Sequence, residues 1–201
     1  MRESKSNSGI TIMALPLHSL QGKFILDAGG LTGSFFSRTV TLICRHNEEG
    51  AFGLTLNRLS GSCMGEAVLA DLPDTIQEEP LFLGGPVQAS VMTFLFQDNT
   101  LDEFDSGLPG LGIGNSLDQL IELAGKDGFP QGQVRVFSGY AGWSPGQLEQ
   151  EVAGNSWIVL PGSVDIVLKA PVQNLWSNLL KQQGVWEWEL LAQSPEDPSL
   201  N

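Results

Sequence analysis

Between Gly139 and Glu151 the chain gathers side chains able to do chemistry: Tyr140, Trp143, Ser144, Gln147, Glu149 and Glu151. Within that stretch Gly142-Trp143-Ser144-Pro145-Gly146 matches the G-x-S-x-G pattern of a nucleophile elbow. An elbow serine needs the amide N–H of the next residue to stabilise an oxyanion, and its histidine base follows it in the chain. Here the next residue is Pro145, which has no N–H, and both histidines, His18 and His46, precede Ser144. Acyl transfer at Ser144 fails on both counts. The same residues spell a capping box instead, with Ser144 as N-cap, Pro145 at N1 and Gln147 at N3. Glu149 and Glu151, about 200° apart on a helix, cannot act as one acid–base pair, whereas Gln147 and Glu151 share a face. Tyr140 and Trp143 remain as an aromatic wall beside the helix start.

Other patterns lack partners. Cys44, His46 and Glu48 alternate along one strand, but ligands on one strand end cannot close around an ion, so no metal is expected. His46, beside a turn, reads as a surface or hydrogen-bonded histidine. Gly110-Leu111-Gly112-Ile113-Gly114-Asn115-Ser116 leads into a helix, yet Asn115 stands where G-x-G-x-x-G needs its last glycine and no G-K-[ST] follows. Asp98, Asp102, Glu103 and Asp105 upstream would repel a phosphate, so no cofactor is expected. Ten basic against twenty-three acidic residues leave a net charge of -13 without a basic stripe, which disfavours direct nucleic-acid contact. Two cysteines in 201 residues fit reduced thiols. Thr11 and Pro16 interrupt the apolar run at residues 10–17, so it does not read as a signal peptide, and no run approaches the roughly 18 residues of a membrane span. A cytoplasmic protein is expected.

The elements that must place these residues are short. Residues 39–45 and 51–57 read as a hairpin around Asn47-Glu48-Glu49-Gly50, with Val40, Leu42, Cys44 and His46 on one face. Further strands are expected at 21–26, 81–83, 91–97, 133–140, 157–160 and 164–169, and helices at 66–72, 116–124, 145–153 and 172–183, with a glycine-rich loop at 98–115. Hairpins first and helices later indicate an α+β class. One domain is expected over residues 10–192, between mobile ends at 1–9 and 193–201.

Four segments in order, Phe36-Ser37-Arg38-Thr39-Val40, the stretch from His46 through Gly53-Leu54-Thr55-Leu56-Asn57-Arg58, Gly84-Gly85-Pro86-Val87-Gln88, and Gly139 to Glu151 with Trp157, resemble the YqgE/AlgH family from about residue 20 to about residue 185. The resemblance implies an α+β domain whose bifurcated, mainly antiparallel sheet partly closes into a small barrel flanked by helices. Such proteins are bacterial and cytoplasmic, and often carry the label of transcriptional regulators. The chain departs from the family pattern at Ala28-Gly29-Gly30, where Ala-Met-Pro is usual, and at Ser90-Val91 and Phe96-Gln97, where an Arg and a Leu-His are common.

Together these readings predict a binding or regulatory protein without catalytic residues, acting through a small ligand or a protein partner. The expected site joins Arg38, His46, Asn57 and Arg58 at the hairpin ends, Gly84 and Gly85, and Tyr140, Trp143, Gln147 and Glu151. One alternative is an enzyme with His46 as general base and Arg58 holding an anion. Another is the regulator of the family label, which with this charge would work through a partner or effector rather than by touching DNA. The oligomeric state is left open.

Overall fold

The computed structural model describes residues 19–98, 106–126 and 133–195. Residues 1–9 and 196–201 of the expected mobile ends lie outside the described residues, as do His18, Asp102, Glu103 and Asp105.

One sheet organises the domain. Its strands are β1 (Lys23–Asp27), β2 (Val40–Asn47), β3 (Gly50–Thr55), β4 (Leu59–Cys63), β5 (Pro80–Leu83), β6 (Val87–Gln97), β7 (Leu111–Gly114), β8 (Val134–Trp143) and β9 (Trp157–Pro161). The helices are α1 (Met64–Ala67), α2 (Asp74–Gln77), α3 (Leu117–Ala124), α4 (Gln147–Ala153), α5 (Val164–Lys169), α6 (Leu175–Lys181) and α7 (Trp186–Gln193). The strand order is β4-β5-β8-β3-β2-β1-β9, with β6 and then β7 leaving from β8.

The bifurcation lies within β8. Val136 sits between Leu81 of β5, in parallel, and Phe94 of β6, in antiparallel, while Trp143 pairs with Ala51 of β3. The two halves join near Gly139, whose φ of 69° is the left-handed region that favours glycine. Of the pairings among the described residues, only β5 with β8 is parallel, so the sheet is mixed. The expected barrel is absent. Because β6 and β7 peel away at the branch, no strand among the described residues joins β9 to β4, and both remain edges.

Both faces of the central strands are buried. Phe24, Leu26, Val40, Leu42 and Leu54 face a core completed by Val167, Trp176 and Leu180, and Ile25, Ile43, Ala141 and Trp143 pack with Leu148 of α4 on the other side. Residues 164–169 form α5 rather than a strand, because Ser163 Oγ accepts the Ile166 amide at 3.5 Å and the turn so started buries Val167 and Leu168. The glycines at 112 and 114 prove to be part of β7, under the rings of Phe96 and Phe94, where a Cβ would fall 2.3 and 2.2 Å from ring carbons. Among the described residues no helix is long and apolar enough to cross a membrane.

Candidate functional site

β8 runs on through Trp143, and the chain then reverses in a turn. Gly146 has φ 75° and ψ -5°, and the Gln147 N–H donates to Ser144 O at 3.0 Å, the geometry of a type II turn with proline second and glycine third. The helix therefore begins at Gln147 with Gly146 as N-cap, and Ser144 is not the cap that its sequence pattern spells. Half of the box survives, since the Ser144 N–H donates to Gln147 Oε1 at 3.0 Å.

Glu151 is the hub of this corner. Its Oε2 accepts the indole N–H groups of Trp143 at 2.9 Å and Trp157 at 2.8 Å, and its Oε1 accepts the Gln147 amide at 2.9 Å. Both indoles are buried, and their rings meet edge to face at 6.2 Å, with Phe36 5.6 Å from Trp157. Tyr140 packs on Phe52 at 5.1 Å. At Gly84 a Cβ would come within 2.3 Å of Gly139 O, and at Gly85 within 2.1 Å of the Tyr140 backbone, so these glycines let two segments lie backbone to backbone. The expected wall is thus a closed network of partnered groups.

His46 belongs to the same side of the molecule. The β2–β3 register slips between Ile43 and Arg45, a bulge that re-aims the residues beyond it. Val40, Leu42 and Cys44 consequently stay in one core while His46 reaches Glu149 on α4, which covers the opposite face. Rather than lying at the surface, His46 is buried. Its Nδ1 accepts the Leu20 N–H at 2.9 Å, which leaves the ring proton on Nε2 to donate to Glu149 Oε1 at 3.1 Å. Neither nitrogen offers a free lone pair to a substrate.

At the other end of β2 the site residues are arranged differently. Asp27, buried at the end of β1, accepts the backbone N–H groups of Gly29 at 2.8 Å, Leu31 at 3.2 Å and Arg38 at 2.8 Å. Asn57 accepts the Val40 N–H at 2.9 Å and donates to Arg38 O at 2.9 Å. Both backbone groups of Arg38 are therefore held, and its φ is 53°, which a non-glycine residue seldom adopts. Its guanidinium lies 5.1 Å over the ring of Trp176, whose indole N–H donates to Asp27 O at 2.9 Å. Arg38 Nη2 donates to the carbonyls of Ser194 and Pro195, and Arg58 Nη2 to Ser37 O. Arg38, Asn57 and Arg58 line a cleft of about 350 Å³ together with Asn174 and Trp176.

The structure thus brings Arg38, Asn57 and Arg58 into one cleft and places His46, Trp143, Gln147 and Glu151 around α4. The two groups sit at opposite ends of β2, about 20 Å apart for six extended residues. Asp27 and Trp176, which set the position of Arg38, escape sequence reasoning. A signal existed for Asp27, because an aspartate before Ala-Gly-Gly favours a turn held by its own side chain. Trp176 reads only as part of an apolar helix face. Cys44 is buried beneath the same sheet, and burial pushes its thiol up to about 12, an effect that Arg45 partly offsets.

Fold and site define a single-domain α/β protein with a branched mixed sheet and an arginine-lined cleft at one end. An AlgH-like family model matches residues 24–188, and the chain belongs to this family. It is 37% identical over 181 residues to a UPF0301 protein of Chlorobium phaeobacteroides, covering 90% of this chain and 95% of that one. A UPF0301 protein of Chlamydia felis is 32% identical over 182 residues, again covering 90% of this chain and 95% of its own. The solution structure of the AlgH protein of Pseudomonas aeruginosa superposes with a TM-score of 0.69 at 30% identity, over 90% of this chain and 97% of that one. A Corynebacterium diphtheriae protein shares the fold, with a TM-score of 0.66 at 21% identity over 87% and 92% of the two chains.

Proposed function

We propose that this protein is a non-enzymatic binding protein of the cytoplasm that recognises an anionic group, carried by a small ligand or by a protein partner, in the cleft between Arg38 and Arg58. The observation that carries the reading is the way Arg38 is held. A left-handed arginine costs about 1 kcal/mol or more, and such strain concentrates at functional positions. Asp27 and Asn57 fix its amide and carbonyl, and the ring of Trp176 with the carbonyls of Ser194 and Pro195 holds its guanidinium, so that this group lines the cleft already oriented. Neither Arg38 nor Arg58 has a carboxylate within ion-pair distance among the described residues, although the chain as a whole carries -13. A cleft with two arginines on so acidic a chain favours an isolated carboxylate or phosphate over a nucleic-acid backbone. The regulator label fits this reading if the bound group is an effector or an acidic side chain of a partner. An enzyme pairing His46 with Arg58 is not supported, because the two lie at opposite ends of β2 and both ring nitrogens of His46 are engaged.

The test is a thermal-shift series with citrate, pyrophosphate and nucleoside phosphates at constant ionic strength. Stabilisation by at least one anion is expected in the parent and in His46→Gln, measured against each protein's own ligand-free midpoint, and its loss is expected in Arg58→Ala and Arg38→Ala. A shift equal in all four proteins, or none with any anion, would overturn the proposal.

A further inference from the structure

A second surface, remote from the arginines, lies along β9. Among the described residues this strand pairs only with β1, so one of its edges is open. The hydrogen bonds that frame the pair define that edge. The Ala28 N–H donates to Ser156 O and the Gly162 N–H donates to Gly22 O, with Ile158 opposite Leu26 and Leu160 opposite Phe24 between them. In an antiparallel ladder the bonded residues alternate, so 156, 158, 160 and 162 face β1 and the amides and carbonyls of Trp157 and Val159 point outward. Open edges of this kind are usually blunted by charge, proline or a covering segment. Pro161 guards only the last position, and the outward groups at 157 and 159 meet a groove of about 640 Å³.

The groove has two walls. Val152 of α4 and Asn155 after it form one, and Trp188 and Leu191 of α7 form the other. Along α7 the apolar surface continues outward on Trp186 and Leu190, which are 66% and 57% exposed. Among the described residues the one charged side chain lining the groove is Glu187.

We propose that this groove takes an extended segment of a basic partner protein, which adds to β9 as an antiparallel or parallel tenth strand and sets apolar side chains on alternate positions against the two walls. Backbone hydrogen bonds to Trp157 and Val159 supply the docking, and the walls select the side chains. The occupant is basic because the lining charge is negative and the chain carries -13. A second copy fits poorly. It would bring equal negative charge to the same face.

The probe is the peptide acetyl-Lys-Val-Lys-Val-Lys-Val-amide, added to the full chain. Hydrogen exchange of the free protein is expected to show rapid loss at the Trp157 and Val159 amides beside protected Ile158 and Leu160, and the peptide is expected to protect the first two. Protection of Trp157 and Val159 already in the free chain would show the edge to be occupied, by another stretch of the chain or by a second copy, and would overturn the proposal. N-methylation of one alternate set of peptide amides is expected to weaken binding at least tenfold, and of the other set less than twofold. Equal binding by both methylated peptides would mean adhesion to an apolar wall and would equally overturn it. Glu187→Lys, an exposed position that leaves the core intact, is expected to reduce the preference for this peptide over its Glu-Val counterpart. An unchanged preference would contradict the charge argument.

Discussion

Removing the carboxylate of Glu151 tests how the α4 corner is held. In Glu151→Ala the indole N–H groups of Trp143 and Trp157, only 7% and 5% exposed at the residue level, lose their common acceptor, and the Gln147 amide loses its partner as well. A buried donor left without a partner costs about 1–3 kcal/mol, so two of them together cost about 2–6 kcal/mol. For a domain of this size, at about 2–4 °C per kcal/mol, the midpoint should fall by about 4–24 °C. Glu151→Gln should cost less, about 1–2 kcal/mol, because one amide oxygen can still serve the indoles. It cannot serve all three donors, since Gln147 Oε1 is held by the Ser144 N–H and its NH2 already faces position 151. Urea denaturation of Glu151→Ala, Trp143→Phe and the double variant closes a cycle in which Trp143→Phe deletes the N–H and keeps most of the ring. A coupling of about 1–2 kcal/mol is expected for groups in direct contact. A single-variant effect below about 0.5 kcal/mol, or no coupling, would refute the role assigned to Glu151.

Further outcomes follow from the same geometry. Iodoacetamide at pH 8 should modify Cys63 alone in the native protein and both cysteines in urea, because Cys44 is buried with its thiol raised to about 12. Since burial raises that thiol above its ordinary 9.0, its contribution to stability is complete below pH 9 and is lost as pH rises from 9 towards 12, which alkaline denaturation curves would show. Asp27→Ala should cost about 3 kcal/mol or more in urea, because three backbone N–H groups lose a buried carboxylate. In the same variant Arg38 loses the hold on its amide, so anion stabilisation should fall even at temperatures where the protein remains folded.

Much of the sheet was legible because hydrophobic period and turn chemistry agreed. The β2–β3 hairpin is read from alternating β-branched residues and from Gly50, whose φ of 122° needs a glycine. The resemblance supplied the bifurcation but also a barrel that the branching at β8 does not allow. β4, with the sequence Leu-Ser-Gly-Ser-Cys, carries no strand signal and is set by its pairing with β5. Residues 111–114 read as a loop because the space above Gly112 and Gly114 is filled by rings from another strand. In α7, charged and apolar residues alternate as in a strand, and only its packing against α6 and the sheet makes it a helix. For the site, the types of Arg38, Asn57 and Arg58 could be read, but not their distance from His46. That separation comes from strand length and from a bulge at Ile43 and Arg45 with no local sequence mark. The Ser144 cap was misplaced because the same Ser-Pro-Gly string also makes a type II turn, and a glycine able to take positive φ favours the turn.

We propose ligand binding in the arginine cleft rather than at the aromatic corner. Titration of the isotope-labelled protein with the anion that stabilises it most, followed by amide chemical shifts, tests it directly. Saturable shifts at Arg38, at residues 57–59 and at residues 174–177, absent in Arg58→Ala, are predicted. Shifts centred on His46 and residues 144–151, or a non-saturable drift spread over the whole surface, would contradict it.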